Sequence, residues 1–178
     1  MAQMRERIFA GFGALLFLGS ACALTVFVFL QPSSATQTDS TKNTAQTSCT
    51  DNRAESKLDV PAAYKTTGPV TALQTTDLTV GTGPAAKNGD CLVVKYYGTL
   101  ANTGVKFDED FTDTTALAFV LGSGQVITGW DKGVVGMKAG GMRRLVIPAA
   151  QAYGSQAVGS IPSNSDLVFV VKLLRIQK

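Results

Sequence analysis

The chain predicts an α+β domain in which an antiparallel β-sheet curls around one short α-helix, preceded by a transmembrane helix and a flexible linker. Three observations predict this. Past residue 58 the apolar residues fall in short runs separated by Gly, Asn, Asp and Pro, the pattern of strands joined by tight turns. One segment alone, residues 126–137, carries its apolar residues at helical spacing. The first 57 residues split into an apolar, uncharged span and a polar stretch with almost nothing to bury.

Residues 1–7 are read as a cytoplasmic N-terminus and residues 8–30 as the membrane anchor. The span contains no charged residue, and as a helix it would reach about 34 Å, at about 1.5 Å per residue. A hydrocarbon core of about 30 Å needs a span of that length. Arg5 and Arg7 precede it, and Lys42 is the next basic residue, so the positive-inside rule sends the remainder of the chain outward. The alternative is a cleaved signal peptide with a small-residue site at Ala21-Cys22-Ala23 or Ser33-Ser34-Ala35. The first cut leaves LTVFVFL at the new terminus, and the second requires an unusually long apolar region, so length favours the anchor. A lipoprotein signal fits less well, because Gly19 stands where an aliphatic residue is usual and apolar sequence continues past Cys22.

Residues 31–57 are rich in Ser, Thr, Gln, Asn and Ala. They lack the apolar surface that would offset the entropy of ordering, and read as a tether. Its coil reach is on the order of 30 Å. Beyond the anchor, Cys49 and Cys91 share an oxidising compartment. They are candidates for a disulfide tying the tether to the domain. The other reading makes Cys91 a small buried strand residue and Cys49 incidental.

The folded domain itself runs over residues 58–178. Residues 58–67 either add a strand or pack on the sheet. Residues 77–80, 91–100, 116–121, 142–147 and 167–176 read as strands, several rich in Val, Phe, Tyr and Thr. KNGD at 87–90, ANTG at 101–104, KAGG at 138–141 and PSNS at 162–165 supply the turns. In VITGWDKGVVGM the apolar residues Ile127, Trp130, Val134 and Met137 lie three, four and three apart. Gly133 and Gly136 weaken this helix and KAGG ends it, so it is short. On spacing alone Trp130, the single tryptophan, is a core anchor.

The composition excludes several kinds of chemistry. There is no histidine, which removes His-based zinc sites and Ser–His or Cys–His nucleophiles. The three cysteines form no CxxC, and neither a GxSxG elbow nor a GxxxxGK[ST] phosphate loop occurs. GTGPAA at 81–86 matches a loose GxGxxA, but Pro84 and the KNGD turn follow where a nucleotide-binding helix would run. The net charge is +3 and the only adjacent basic pair is Arg143–Arg144, so no nucleic-acid footprint is expected. Neither a metal nor a cofactor is expected, and the chain is expected to be a monomer.

A set of motifs in fixed order then carries a resemblance. VKYYGTL at 94–100 is followed by KFD at 106–108 and by AFVLGSGQVITGWDKGVVGMKAGGMRRLVIP at 118–148. QAYG at 151–154 and LVFVVKLL at 167–174 complete it. From about Pro69 to the C-terminus the chain resembles the FK506-binding-protein family of peptidyl-prolyl cis-trans isomerases. The resemblance implies the same sheet wrapped around a helix, and isomerisation of the bond preceding proline. It implies catalytic positions at Tyr96, Phe107, Asp108, Ile127, Trp130, Tyr153 and Phe169, and substrate-binding positions at Leu117, Phe119, Val126 and Ile161. Phe119 is expected just behind the pocket. Trp130 becomes the floor on which a proline ring sits, and Gly129 lets the backbone approach closely. Taken singly, Tyr153 would be a turn tyrosine and Asp108 a solvated carboxylate.

Three positions depart from the family pattern. Leu117 stands where relatives often carry an aromatic residue, Ala157 where a larger side chain is frequent, and Asp113 where a basic partner for the pocket aspartate is common. These changes are expected to widen and loosen the rim. The implied partners are proline-containing polypeptides and an FK506-like macrolide. The implied setting is a membrane-anchored isomerase with its domain outside the cytoplasm, or a secreted one after cleavage. The competing function is a binding module for proline segments with little catalysis. An added client-binding domain is less expected, since no long insert follows Ala152.

Overall fold

The computed structural model describes residues 49–177. The expected cytoplasmic terminus, the anchor at 8–30 and the greater part of the tether lie outside the described residues. Among the described residues no helix is long and apolar enough to cross a membrane.

Six strands form one antiparallel sheet. They are β1 (Gln74–Thr79), β2 (Cys91–Leu100), β3 (Lys106–Glu109), β4 (Leu117–Val120), β5 (Met142–Ile147) and β6 (Leu167–Gln177), with α1 (Thr128–Gly133) between β4 and β5. The order is β1-β5-β6-β2-β3, and β4 also pairs with β2. β3 and β4 therefore share one side of β2. β3 pairs with its C-terminal part, Tyr97 to Thr99, and β4 with its N-terminal part, Cys91 to Val94. They are two pieces of one interrupted edge.

Alternation sorts the side chains onto two faces. Leu92, Val94 and Tyr96 of β2, Leu145 and Ile147 of β5, and Leu167, Phe169, Val171 and Leu173 of β6 join Trp130, Val134 and Met137 in the main core. The helix packs close because two glycines face the sheet. A Cβ at Gly129 would lie 2.4 Å from Ile147 Cγ2, and one at Gly133 would lie 2.8 Å from Leu145 Cδ2. On the other face Val70, Ala101, Val146 and Val168 form a smaller cluster with Tyr64 against it.

Three differences from the sequence expectation have physical reasons, and the structure decides between the two readings of residues 58–67. The first strand covers Gln74–Thr79 rather than 77–80. It is an edge strand, exposed along its length, so its polar QTT start costs nothing and carries no apolar signal. The KFD segment is a strand, β3, although it has only four residues. The helix occupies six residues rather than most of 126–137, because Ile127 is still extended and Gly136 takes φ of 80°. Residues 58–67 form no strand. They pack on the sheet through Tyr64, and the Thr66 amide donates to the Ala101 carbonyl at 2.9 Å.

Residues 49–58 run as a strap outside the sheet. Cys49 and Cys91 are joined in a disulfide, with Cα atoms 5.5 Å apart. The Glu55 amide donates to the Thr114 carbonyl at 2.7 Å, and the Leu58 amide to that of Phe111 at 2.8 Å. Arg175 on β6 holds the strap's acids, Asp51 directly and Glu55 at 2.6 Å. The discounted GTGPAA stretch is structural as well. A Cβ at Gly81 would lie 2.3 Å from the carbonyl oxygens of Lys138 and Ala139, so the glycine lets two backbones touch.

Candidate active site

Helix, sheet and one loop enclose a hollow of about 540 Å³, counting the part continuous with solvent. Its lining comprises Tyr96, Phe107, Asp108, Leu117, Val126, Ile127, Trp130, Tyr153, Val158, Ile161 and Phe169. One carboxylate and two phenol hydroxyls are the only side-chain polar groups in this set beside the indole. Every site residue expected from the sequence borders the hollow except Phe119. That residue is fully buried, and its ring meets Trp130 edge-on at 5.9 Å, so it supports the floor and does not line it.

The walls are built from rings meeting at steep angles. Trp130 meets Phe169 at 5.2 Å and 88°, and Tyr96 at 5.5 Å and 79°. Phe107 meets Phe169 at 5.5 Å and 82°. Edge-to-face pairs of this kind contribute about 0.5–1.5 kcal/mol each beyond their burial. They fix the rings without filling the hollow. Trp130 is 3% exposed, so most of the indole is packed and what remains accessible borders the hollow.

Local backbone features aim these side chains. The β2–β3 register slips at Phe107: Gly98 pairs with Asp108, while Thr99 pairs with Lys106. A bulge of this kind re-aims a side chain. Here it presses Phe107 over Gly98, where an added Cβ would lie 2.7 Å from Phe107 Cζ and 2.9 Å from Phe169 Cε1. On the opposite wall, Asp131 accepts from the Gly122 and Gly124 amides at 2.9 and 3.0 Å. Gln125 Oε1 accepts from the Val120 amide at 2.9 Å. These bonds shape the loop that delivers Val126 and Ile127.

The polar groups are organised. The Tyr96 hydroxyl donates to Asp108 Oδ2 at 2.7 Å, and the Glu109 amide donates to Oδ1 at 2.9 Å. Burial, and secondarily the charge of Asp108, raise the Tyr153 phenol above its ordinary value. Tyr153 therefore stays a hydrogen-bond donor.

Of the departures, Leu117 lines the hollow, whereas the exposed Ala157 does not and its neighbour Val158 does. Asp113 presents its backbone carbonyl to Lys95. Sequence reasoning missed Val158. It sits on a tight turn, bonded to Ile161 in both directions at 3.0 and 2.9 Å, with Gly159 at φ of 56°. The VGS turn before Ile161 was the available signal. Among the described residues no cluster of metal-ligating side chains occurs.

The comparisons agree with this geometry. Residues 83–174 match the family model described as FKBP-type peptidyl-prolyl cis-trans isomerase. FK506-binding protein 4 of Neurospora crassa is 48% identical over 124 residues, which are 70% of this chain and 26% of that protein. An FK506-binding protein of Streptomyces anulatus is 45% identical over 102 residues, covering 56% of this chain and 82% of the relative. The crystal structure of FkpA from Escherichia coli superposes with a TM-score of 0.55 at 43% identity, covering 60% of this chain and 49% of that one. The chain spans about a quarter of the length of the fungal relatives it matches. A family match over half the chain, the sheet wrapped around one helix and the ring-lined hollow lead to one conclusion: the chain belongs to the FKBP-type peptidyl-prolyl cis-trans isomerase family.

Proposed function

We propose that the domain isomerises X–Pro bonds of exported or surface polypeptides while tethered to the outer face of a membrane. The observation that carries the catalytic part is the open, ring-walled, almost wholly apolar hollow. Rotation about an X–Pro bond faces a barrier of about 18–20 kcal/mol because resonance stiffens it. Twisting the bond removes that resonance and with it much of the amide's charge separation. An apolar cavity therefore favours the twisted form over the planar one, without covalent chemistry. The absence of histidine from the chain is consistent with that mechanism.

In this reading the proline ring rests on Trp130 between Phe107, Phe169 and Val126. The Ile127 amide holds the substrate carbonyl, and the Tyr153 hydroxyl fixes the adjacent one. Asp108 orients Tyr96 through their hydrogen bond. A macrolide of the FK506 type competes for the same surface.

The location rests on the charge-free span at 8–30 with its preceding arginines, and on the disulfide, which suits an oxidising compartment. Intact mass of the protein recovered from its membrane distinguishes a retained anchor from a cleaved signal.

Leu117, aliphatic where relatives often carry a ring, supports the second reading, a proline-segment binder with little turnover. A protease-coupled assay on a Leu-Pro peptide separates the two. The isomerase reading expects Trp130→Ala and Phe107→Ala to lower kcat/KM by about tenfold or more, from a wild type well above the uncatalysed rate. Wild-type protein that binds the peptide without accelerating its isomerisation establishes the binder.

A further inference from the structure

We infer that Lys95 is a positioning residue for the pocket: its buried ammonium pins the β3–β4 loop and so sets both walls that this edge contributes to the hollow. The role rests on the proposed isomerase reading of that hollow.

Lys95 is fully buried, although it is a lysine in the middle of a strand. It lies on the face of β2 opposite Val94 and Tyr96, away from the helix. Its Nζ donates to the backbone carbonyls of Asp110 at 3.0 Å and Asp113 at 2.6 Å. A buried ammonium is costly unless its donors are satisfied, and truncating it would also take a donor from both carbonyls. Those bonds account for how the charge is tolerated, not for why it stands at this position.

The place it occupies supplies a reason. β3 and β4 leave a break in the edge beside Lys95 and Tyr96. The loop fills that break by imitating a strand. The Asp110 amide donates to the Tyr96 carbonyl at 3.0 Å, and the Tyr96 amide donates to Asp110 Oδ1 at 2.5 Å. The Asp113 amide closes a turn on the Asp110 carbonyl at 3.2 Å, the same oxygen that Lys95 holds. One end of this loop continues into Phe107 and Asp108, and the other into Leu117. The cation beneath the turn fixes how far apart those two walls stand.

The test compares Lys95→Met, Lys95→Arg and a remote core control, Leu173→Ala, in the full oxidised chain. Lys95→Met is expected to lower kcat/KM about tenfold, mainly through KM, because small misplacements of a binding wall are costly in rate. Its Asp110 and Asp113 amides exchange faster, while those of β5 and β6 keep their protection. Lys95→Arg recovers most of the activity, and Leu173→Ala loses stability with kcat/KM retained. Wild-type kcat/KM and unchanged loop exchange in Lys95→Met overturn the inference. Should that variant not fold, the wild-type ammonium resonance of Lys95 is followed as Ala-Leu-Pro-Phe peptide is added. A shift confined to Lys95 and absent at Lys132 supports the inference, and an unmoved Lys95 signal overturns it. Wild-type protein that binds the peptide but lacks isomerase activity sinks the isomerase reading alone. The peptide-induced shift and the loop exchange then decide the role of Lys95.

Discussion

Tyr153 stands where burial and the charge of Asp108 both favour its neutral form. The folded pKa lies above the ordinary 10.0. The folded chain thus binds this proton more tightly than the unfolded one. Stability from the neutral phenol is complete below pH 10 and declines as pH rises through the folded value. Activity should accordingly be flat from neutral pH to about pH 10, as far as this group is concerned. Tyr153→Phe should lower kcat/KM roughly fivefold, the rate equivalent of about 1 kcal/mol for one hydrogen bond, in a peptide assay at fixed pH. An unchanged rate would leave the hydroxyl without a role. At this scale the ring residues were legible because each sits in a short motif with fixed neighbours. Lys95 was not. Alternation alone turns it outward, and only the fold places the 110–113 loop over it. Val158 was hidden for a related reason, since a turn has no periodicity to read.

The helix and the strand it lies against form one packed unit, set by the glycines that separate them. Ile147 is fully buried and branched at Cβ, so it cannot swing away from a methyl 2.4 Å distant. Gly129→Ala should therefore cost about 1–3 kcal/mol despite alanine's better helix propensity, read from the denaturant midpoint. It should also lift Trp130 and change its emission, which is clean to follow because the chain has one tryptophan. A stabilised variant with unaltered emission would show that the helix has room to move. The strong apolar strands β2, β5 and β6 were legible in the sequence, and so was the helix that crosses them. The polar edge elements were legible only in part: the end of β1 reads as a strand, while its polar start and the whole of β3 do not. β1 is exposed throughout and β3 is four residues long, so hydrogen bonding to a neighbour defines them rather than composition.

For the molecule as a whole, the disulfide closes a long loop with a sequence separation of 42. Chain-entropy reasoning gives about 4 kcal/mol for a closure of that size. Cys49→Ala with Cys91→Ala should lower unfolding stability by up to about that amount while the sheet and hollow persist, as judged by denaturant midpoint and peptide isomerisation. No change in the midpoint would mean that the strap's ion pairs alone hold it. The two cysteines could be proposed as partners from the sequence, but no local pattern announced the strap, whose anchors lie in the β3–β4 loop and the last strand.

That strap makes the working body of the protein larger than its family signature. A version trimmed to residues 83–174 would keep every ring of the hollow yet be an amputation. Cys91 would be left a lone thiol, and the carbonyls of Phe111 and Thr114 would lose their donors. The last residues of β6 would be cut off as well, including the arginine that grips the strap's acids. For anyone expressing or grafting this fold, the strap from Cys49 onward belongs with it as much as the first recognisable motif does.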